Sequence, residues 1–225
     1  MPLAGKGMLL TSMNIDAADE ADFNRWYDRE HLEERVAIDG FLEARRYVAH
    51  AANPKYLCLY STATLDVLGS PAYRARLASP TDWSRQSMAR FKDMLRVVAR
   101  ITVSNGSGRG AALGVVRLRP TPDKAAPWRD ALHDKLVPAT RDGVISMHLL
   151  ESEPELSGAT AEIPASRNDG ARDWFVLIDG THVGAVSAVI AERFTGPAAS
   201  PLPPPVSVGT YSLMWDLAKS DIARG

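Results

Sequence analysis

The chain has 225 residues, a net charge of −1 and 45% hydrophobic residues, which allows one large domain or two of about 110 residues. Its interspersed charges form no basic stripe suited to nucleic acid or to an anionic membrane surface. No apolar run approaches the roughly 20 residues of a membrane-spanning helix, and the first residues lack a signal peptide's layout. The lone Cys58 excludes a disulfide framework and a cysteine zinc site, so a soluble, cytoplasmic protein is expected.

In chain order, Met8 to Asn14 reads as a strand, and Asp16 or Asp19 can cap a helix running to about Arg35. A turn at Ile38-Asp39-Gly40-Phe41 leads into an alternating strand from Leu42 to His50. Asn53-Pro54 then connects it to an antiparallel partner, Tyr56 to Thr62. Helical patterning covers Leu65 to Leu77 and about Thr81 to Met94, followed by a strand from Val97 to Val103. Ser104-Asn105-Gly106-Ser107-Gly108 reads as a linker. The order then recurs: strand Leu113 to Leu118, helix Lys124 to Val137, strands Val144 to Leu150 and Trp174 to Ile178, helix Val183 to Phe194, strand Thr210 to Leu217. Two loops, Glu151 to Arg172 and Gly196 to Pro205, are longer than their counterparts, and the triple proline of the second excludes regular structure.

One phrase appears twice. Trp26, Asp28 and His31 return as Trp128, Asp130 and His133 at a constant offset of 102 residues, and the turn Asp39-Gly40 returns as Asp142-Gly143. The chain therefore reads as an α+β protein of two tandem ferredoxin-like βαββαβ units, 1–105 and 106–225. Each unit leaves one sheet face bare, so the antiparallel sheets are expected to pack face to face as a pseudo-dimeric α/β barrel. The space between the sheets is the expected pocket for a small molecule. Exposed sheet edges leave a homodimer open.

The segment Trp26 to Arg35, with Gly40-Phe41 and Arg45-Arg46-Tyr47, resembles the bacterial dimeric α/β-barrel proteins, in particular the EthD-like group. The pattern covers roughly residues 8 to 103 and, more faintly, 112 to 217. Glu33 and Asp39 stand where that group often has proline. The wider superfamily includes cofactor-free monooxygenases, small cyclases, muconolactone isomerases, haem-handling enzymes and ligand-binding regulators. The resemblance thus implies the barrel fold more than a reaction.

On an ideal helix Glu30 and Glu34 fall in the middle of the apolar stripe, where unpaired charges are not expected. At the recurring offsets Glu30, Glu34 and Arg46 become Leu132, Leu136 and Leu149. Two readings stay open: a buried ion cluster of Glu30, Glu34 and Arg46, or a polar site kept in one half only. His31 and His133 are present in both halves, and a histidine near neutrality suits general-base chemistry as well as a capping role. On the following strand Phe41, Arg45 and Tyr47 are expected to face the opposite sheet. There Arg45, aligned with His148, can hold a ligand's anionic oxygen. Tyr47 and Tyr60 supply flat walls with hydroxyl tips.

The leading expectation is a cofactor-independent enzyme of isomerase, cyclase or monooxygenase type acting on a small carbonyl or aromatic compound. His31 and Arg45 would be catalytic, with Phe41, Tyr47, Tyr60 and His148 against the substrate. Glu30, Glu34, Arg46 and His133 would lie behind them, with no metal and no cofactor. A non-catalytic ligand-binding or stress-response protein of the same fold is the rival, and haem binding a third reading.

Overall fold

Strands β1 (Gly7–Asn14) and β3 (Tyr56–Thr62) are buried at almost every position because both of their faces are covered. Met8 and Leu10, with Leu57 and Leu59, point one way, whereas Leu9 and Met13, with Tyr56, Cys58 and Tyr60, point the other. The computed structural model describes residues 3–138, 141–157 and 170–222. Within them eight antiparallel strands close into a barrel in the order β1-β3-β2-β8-β5-β7-β6-β4. The remaining strands are β2 (Phe41–Ala51), β4 (Lys92–Gly106), β5 (Ala112–Leu118), β6 (Val144–Ser152), β7 (Trp174–Gly180) and β8 (Ser207–Ala218).

Two seams join the halves of the chain: β2 pairs with β8 from Glu43↔Ala218 to Ala51↔Thr210, and β4 with β6 from Ala99↔Ser152 to Gly106↔Ser146. Closure gives the backbone groups of each four-strand run a partner that an open sheet would leave to solvent. Helices lie outside. α1 (Glu20–Trp26), α2 (Leu32–Val36), α3 (Pro71–Ala78) and α4 (Asp82–Ala89) accompany β1 to β4, while α5 (Ala125–Lys135) and α6 (Val183–Ile190) accompany the rest. Both matched turns need glycine: Gly40 and Gly143 have φ of +85° and +78°. No helix among the described residues is long and apolar enough to cross a membrane.

Several boundaries differ from expectation. The helix read as running to Met94 stops at Ala89, and β4 starts at Lys92 and runs on to Gly106, taking in the first residues of the expected linker. Partner strands explain this extension, since Asn14 of β1 pairs with Lys92 and Ser146 of β6 with Gly106. The helical segment from Leu65 is broken at Ser70. Its hydroxyl caps Tyr73 N–H, and Pro71 sits in the first turn of α3. Part of the long loop Glu151 to Arg172 lies outside the described residues.

The barrel interior, expected to hold the ligand, is packed with side chains including Tyr47, Phe175 and Tyr211. One end of it is polar. Arg45 Nη1 donates to Asp179 Oδ1 at 3.0 Å with both side chains 1% exposed, and His148 Nε2 lies 3.6 Å from Asp179 Oδ2. Arg109 spans Glu43 (2.7 Å) and Asp216 (2.8 Å) nearby. Burial raises the Asp179 carboxyl, but Arg45 and His148 outweigh it and hold the group below its ordinary range. Removing one member of such a pair strands the other charge. Asp179→Asn is expected to lower unfolding free energy by about 3–5 kcal/mol, with much of it regained in an Arg45→Met/Asp179→Leu double variant. Urea unfolding checks both, and a single-variant loss below about 1 kcal/mol would show the pair to be dispensable.

Candidate functional site

Between α1 and α2 the chain makes a π-helical turn, Tyr27–His31, in which the Leu32 N–H donates to the Tyr27 carbonyl five residues back. The extra residue changes which side chains reach the sheet. On α5 and its C-terminal cap, which have no such turn, Leu132 and Leu136 lie four and eight residues after Trp128 and are fully buried. Counting from Trp26, the buried positions fall five and nine residues on, at His31 and Arg35, only 6% and 3% exposed. Glu30 and Glu34 are rotated to the flank. His133, on the uninterrupted helix, is 72% exposed beside Asp134.

The expected cluster of Glu30, Glu34 and Arg46 therefore does not form. Glu30 Oε1 accepts from Trp26 Nε1 (3.1 Å), Thr81 Oγ1 (2.6 Å) and Ser84 Oγ (3.0 Å), fastening the start of α4 to the π turn. Glu34 pairs with Arg76 on α3. Arg46 is fully buried, pairs with Asp28 at 3.0 Å and bonds Asn24. Its guanidinium lies 4.4 Å from the Tyr27 ring centroid and 5.1 Å from those of Phe23 and Tyr56.

Residues expected in one pocket are divided by the sheet. Arg45, Tyr47 and His148 are inside the barrel, with the Arg45 guanidinium 6.0 Å from the Tyr47 ring. His31 and Tyr60 are outside it, under the helices, so Arg45 cannot act on a group held by His31. Phe41 also lies on the helix side, 6.5 Å from Tyr60 and 5.5 Å from Tyr73 between ring centroids. The register shift between Phe41 and Glu43 reverses the facing that strict alternation gives it.

On the helix side, a cavity of about 20 Å³ is bounded by His31, Thr11, Tyr60, Arg35, Arg96 and Met88, among others, which is room for about one water molecule. The His31 ring lies 4.2 Å from Trp26 and 5.0 Å from Tyr27 between centroids. Three buried polar atoms around the cavity, Thr11 Oγ1, His31 Nδ1 and Tyr60 Oη, make no well-formed hydrogen bond. Such orphaned groups are rare in a buried setting and mark candidate ligand contacts. Burial, then the charges of Arg35, Arg76 and Arg46, hold His31 well below the ordinary histidine range, so its imidazole is neutral at pH 7. Burial raises the Tyr27 and Tyr60 phenols and the Cys58 thiol. The arrangement can accept a proton at His31 and donate hydrogen bonds to an oxygen from Thr11 and Tyr60. Thr11, Arg35 and Arg96 escape a reading of sequence. The Trp-to-His spacing gives no sign that the helix gains a residue per turn there.

A haem does not fit these residues. The cavity at His31 is far smaller than a porphyrin, and the corresponding space in the second half is filled by Leu132, Leu136, Leu149 and Trp174. Among the described residues, no three His, Cys, Asp or Glu side chains gather where they could hold a metal ion.

No family model matches the sequence, and no curated protein matches it. Solved structures do match. An anthrone oxidase-like protein superposes with a TM-score of 0.66 at 10% identity, covering 98% of this chain and 96% of that one. A protein named as a candidate monooxygenase, from Lactobacillus acidophilus NCFM, gives 0.60 at 9% identity, covering 96% and 97%. A protein named as a candidate chlorite dismutase gives 0.57 at 12% identity, covering 98% of each chain. At these identities the likeness shows the fold alone, an antiparallel α+β barrel.

His31 and His148 are both held below the ordinary histidine range, chiefly by burial, so each takes up a proton on unfolding once the pH falls below about 6.5. Their stabilising contribution is complete above that pH. It declines below it by about 1.4 kcal/mol per pH unit for each group. His31→Gln is expected to remove one of the two contributions. Urea unfolding between pH 7.5 and 5.5 reads this as a shallower slope, and a slope like the parent's would show that His31 is not held neutral.

Proposed function

We propose that the protein is a small-molecule enzyme of oxidase or monooxygenase type that needs no nucleotide or metal cofactor, with His31 as the proton acceptor. The observation that carries this reading is the neutral, buried imidazole opening onto a cavity together with two buried hydroxyls, of Thr11 and Tyr60, that make no well-formed hydrogen bond. A substrate carrying an acidic C–H or phenolic O–H would lose its proton to His31. Thr11 and Tyr60 would donate hydrogen bonds to the oxygen on which negative charge develops. Arg35, buried at the same wall, favours that anion. The resulting electron-rich anion is the species that can pass electrons to dioxygen, the co-substrate of an oxidase. Met88, Met94 and Leu77 line the cavity, and their flexible side chains can yield space to an aromatic ring.

The names of two structural neighbours, the anthrone oxidase-like protein and the candidate monooxygenase, agree with this class of reaction, and anthrone, with its acidic CH₂ beside two rings, is the first substrate to try. We also read the chain as a tandem pair of βαββαβ units, 1–105 and 106–225, of EthD-like ancestry, in which the first unit carries the chemistry. Supporting this are the Trp/Asp/His spacing, the paired Asp-Gly turns and the order of elements in each half.

With anthrone as substrate, His31→Gln is expected to lower kcat by about 10²–10⁴-fold while far-ultraviolet circular dichroism stays unchanged. Oxygen uptake provides the rate. Equal rates for parent and variant would remove His31 from the chemistry. Binding without turnover by the parent would favour a ligand-binding protein of the same fold.

A further inference from the structure

Arg96, on the helix-facing side of β4, is 4% exposed and lines the His31 cavity. Its Nη1 donates to the Leu156 carbonyl at 2.7 Å and its Nη2 to the Tyr73 hydroxyl at 3.3 Å. Both acceptors are neutral, and among the described residues no carboxylate lies within ion-pairing distance of it. The buried Arg45 and Arg46 each have one, in Asp179 and Asp28. The cavity wall contains Arg35 and Arg96 but no Asp or Glu. A buried guanidinium without a counter-charge is uncommon, and one facing a cavity is set to receive the missing anion from a ligand.

The anchoring is rigid. The turn that presents Leu156 is fixed to β4 by Glu153 N–H to the Val98 carbonyl (2.7 Å), Ser157 Oγ to the same carbonyl (3.1 Å) and Val98 N–H to Ser157 Oγ (3.0 Å). Tyr73 is held by α3, whose first turn is capped by Ser70. The planar fork of Arg96 is thereby oriented in advance, which lowers the ordering cost of binding a planar acid. The rings of Tyr27, Tyr60, Tyr73 and Phe91 also line the cavity and supply flat apolar contact.

We propose that the cavity, widened from its roughly 20 Å³ by displacement of the Leu77, Met88 and Met94 side chains that line it, takes a small aromatic carboxylate, with Arg96 holding the carboxylate and the ring lying toward His31. This rests on the reading of the His31 cavity as the substrate site. It also gives the second half of the chain a part in recognition, since Leu156 lies beyond β6.

Isothermal titration calorimetry of the full chain with salicylate and its neutral counterpart salicylamide tests it. Salicylate is expected to bind at least ten-fold more tightly than salicylamide. Arg96→Met should weaken salicylate binding ten-fold or more without changing salicylamide, and Arg96→Lys should restore part of the difference. Salicylate should raise the Tm of the parent protein and not that of Arg96→Met. Absent salicylate binding, equal affinity for acid and amide, or an Arg96→Met variant that binds salicylate like the parent would each overturn the proposal. If Arg96→Met does not fold, the acid-to-amide ratio in the parent still decides it. The two readings fail separately: loss of discrimination by Arg96 leaves the effect of His31→Gln on turnover in place, and an inert His31 leaves carboxylate binding in place.

Discussion

The site depends on one hydrogen bond that skips a residue. Because Leu32 N–H reaches back to Tyr27 rather than Asp28, the helix behind β1 and β3 gains a residue in that turn, and everything after it is rephased. His31 and Arg35 move onto the sheet, where α5 places leucines, and Glu30 and Glu34 move aside. An uninterrupted α-helix would bury two carboxylates against Thr11, Cys58 and Tyr60 and leave the imidazole near solvent. Glu30 stabilises the irregular turn from its flank, accepting from an indole and two hydroxyls and so tying α4 over the cavity. The irregular turn and the polar cavity therefore share one cause.

Much of the architecture was legible in the residues. Period-two patterning marked the strands, the Asp-Gly pairs marked turns whose glycines do have positive φ, and the Trp/Asp/His spacing pointed to the helix that bears the histidine. What escaped was phase. Strict helical spacing put Glu30 and Glu34 in the core, and strict alternation put Phe41 inside the barrel, whereas a π turn and a strand irregularity reversed both. Neither device has a residue signature that period counting detects. Long-range partners also escaped: nothing near Arg45 announces Asp179, 134 residues away, and nothing near Arg96 announces Leu156.

The two outer cores differ in character although the strands beneath them run in the same order. Under α5 and α6 the space is filled by Leu132, Leu136, Leu149, Trp174 and their neighbours. Under α1 to α4 the same layer contains His31, Arg35, Arg46 and Arg96 among its aromatic rings. Dense apolar packing stabilises one side, while the other retains groups whose hydrogen-bonding capacity is only partly used. Charges inside the barrel are handled differently again: they are matched acid to base.

The seams β2–β8 and β4–β6 lie within a single polypeptide, and this has a consequence for stoichiometry. A barrel built from two identical chains would carry every substitution twice, and any chamber under one set of helices would have a twin under the other. Here one face can be emptied of polar groups while its opposite keeps them. A ligand of the His31 cavity should therefore saturate at one equivalent per barrel, since the matching space under α5 is filled by Leu132 and Leu136.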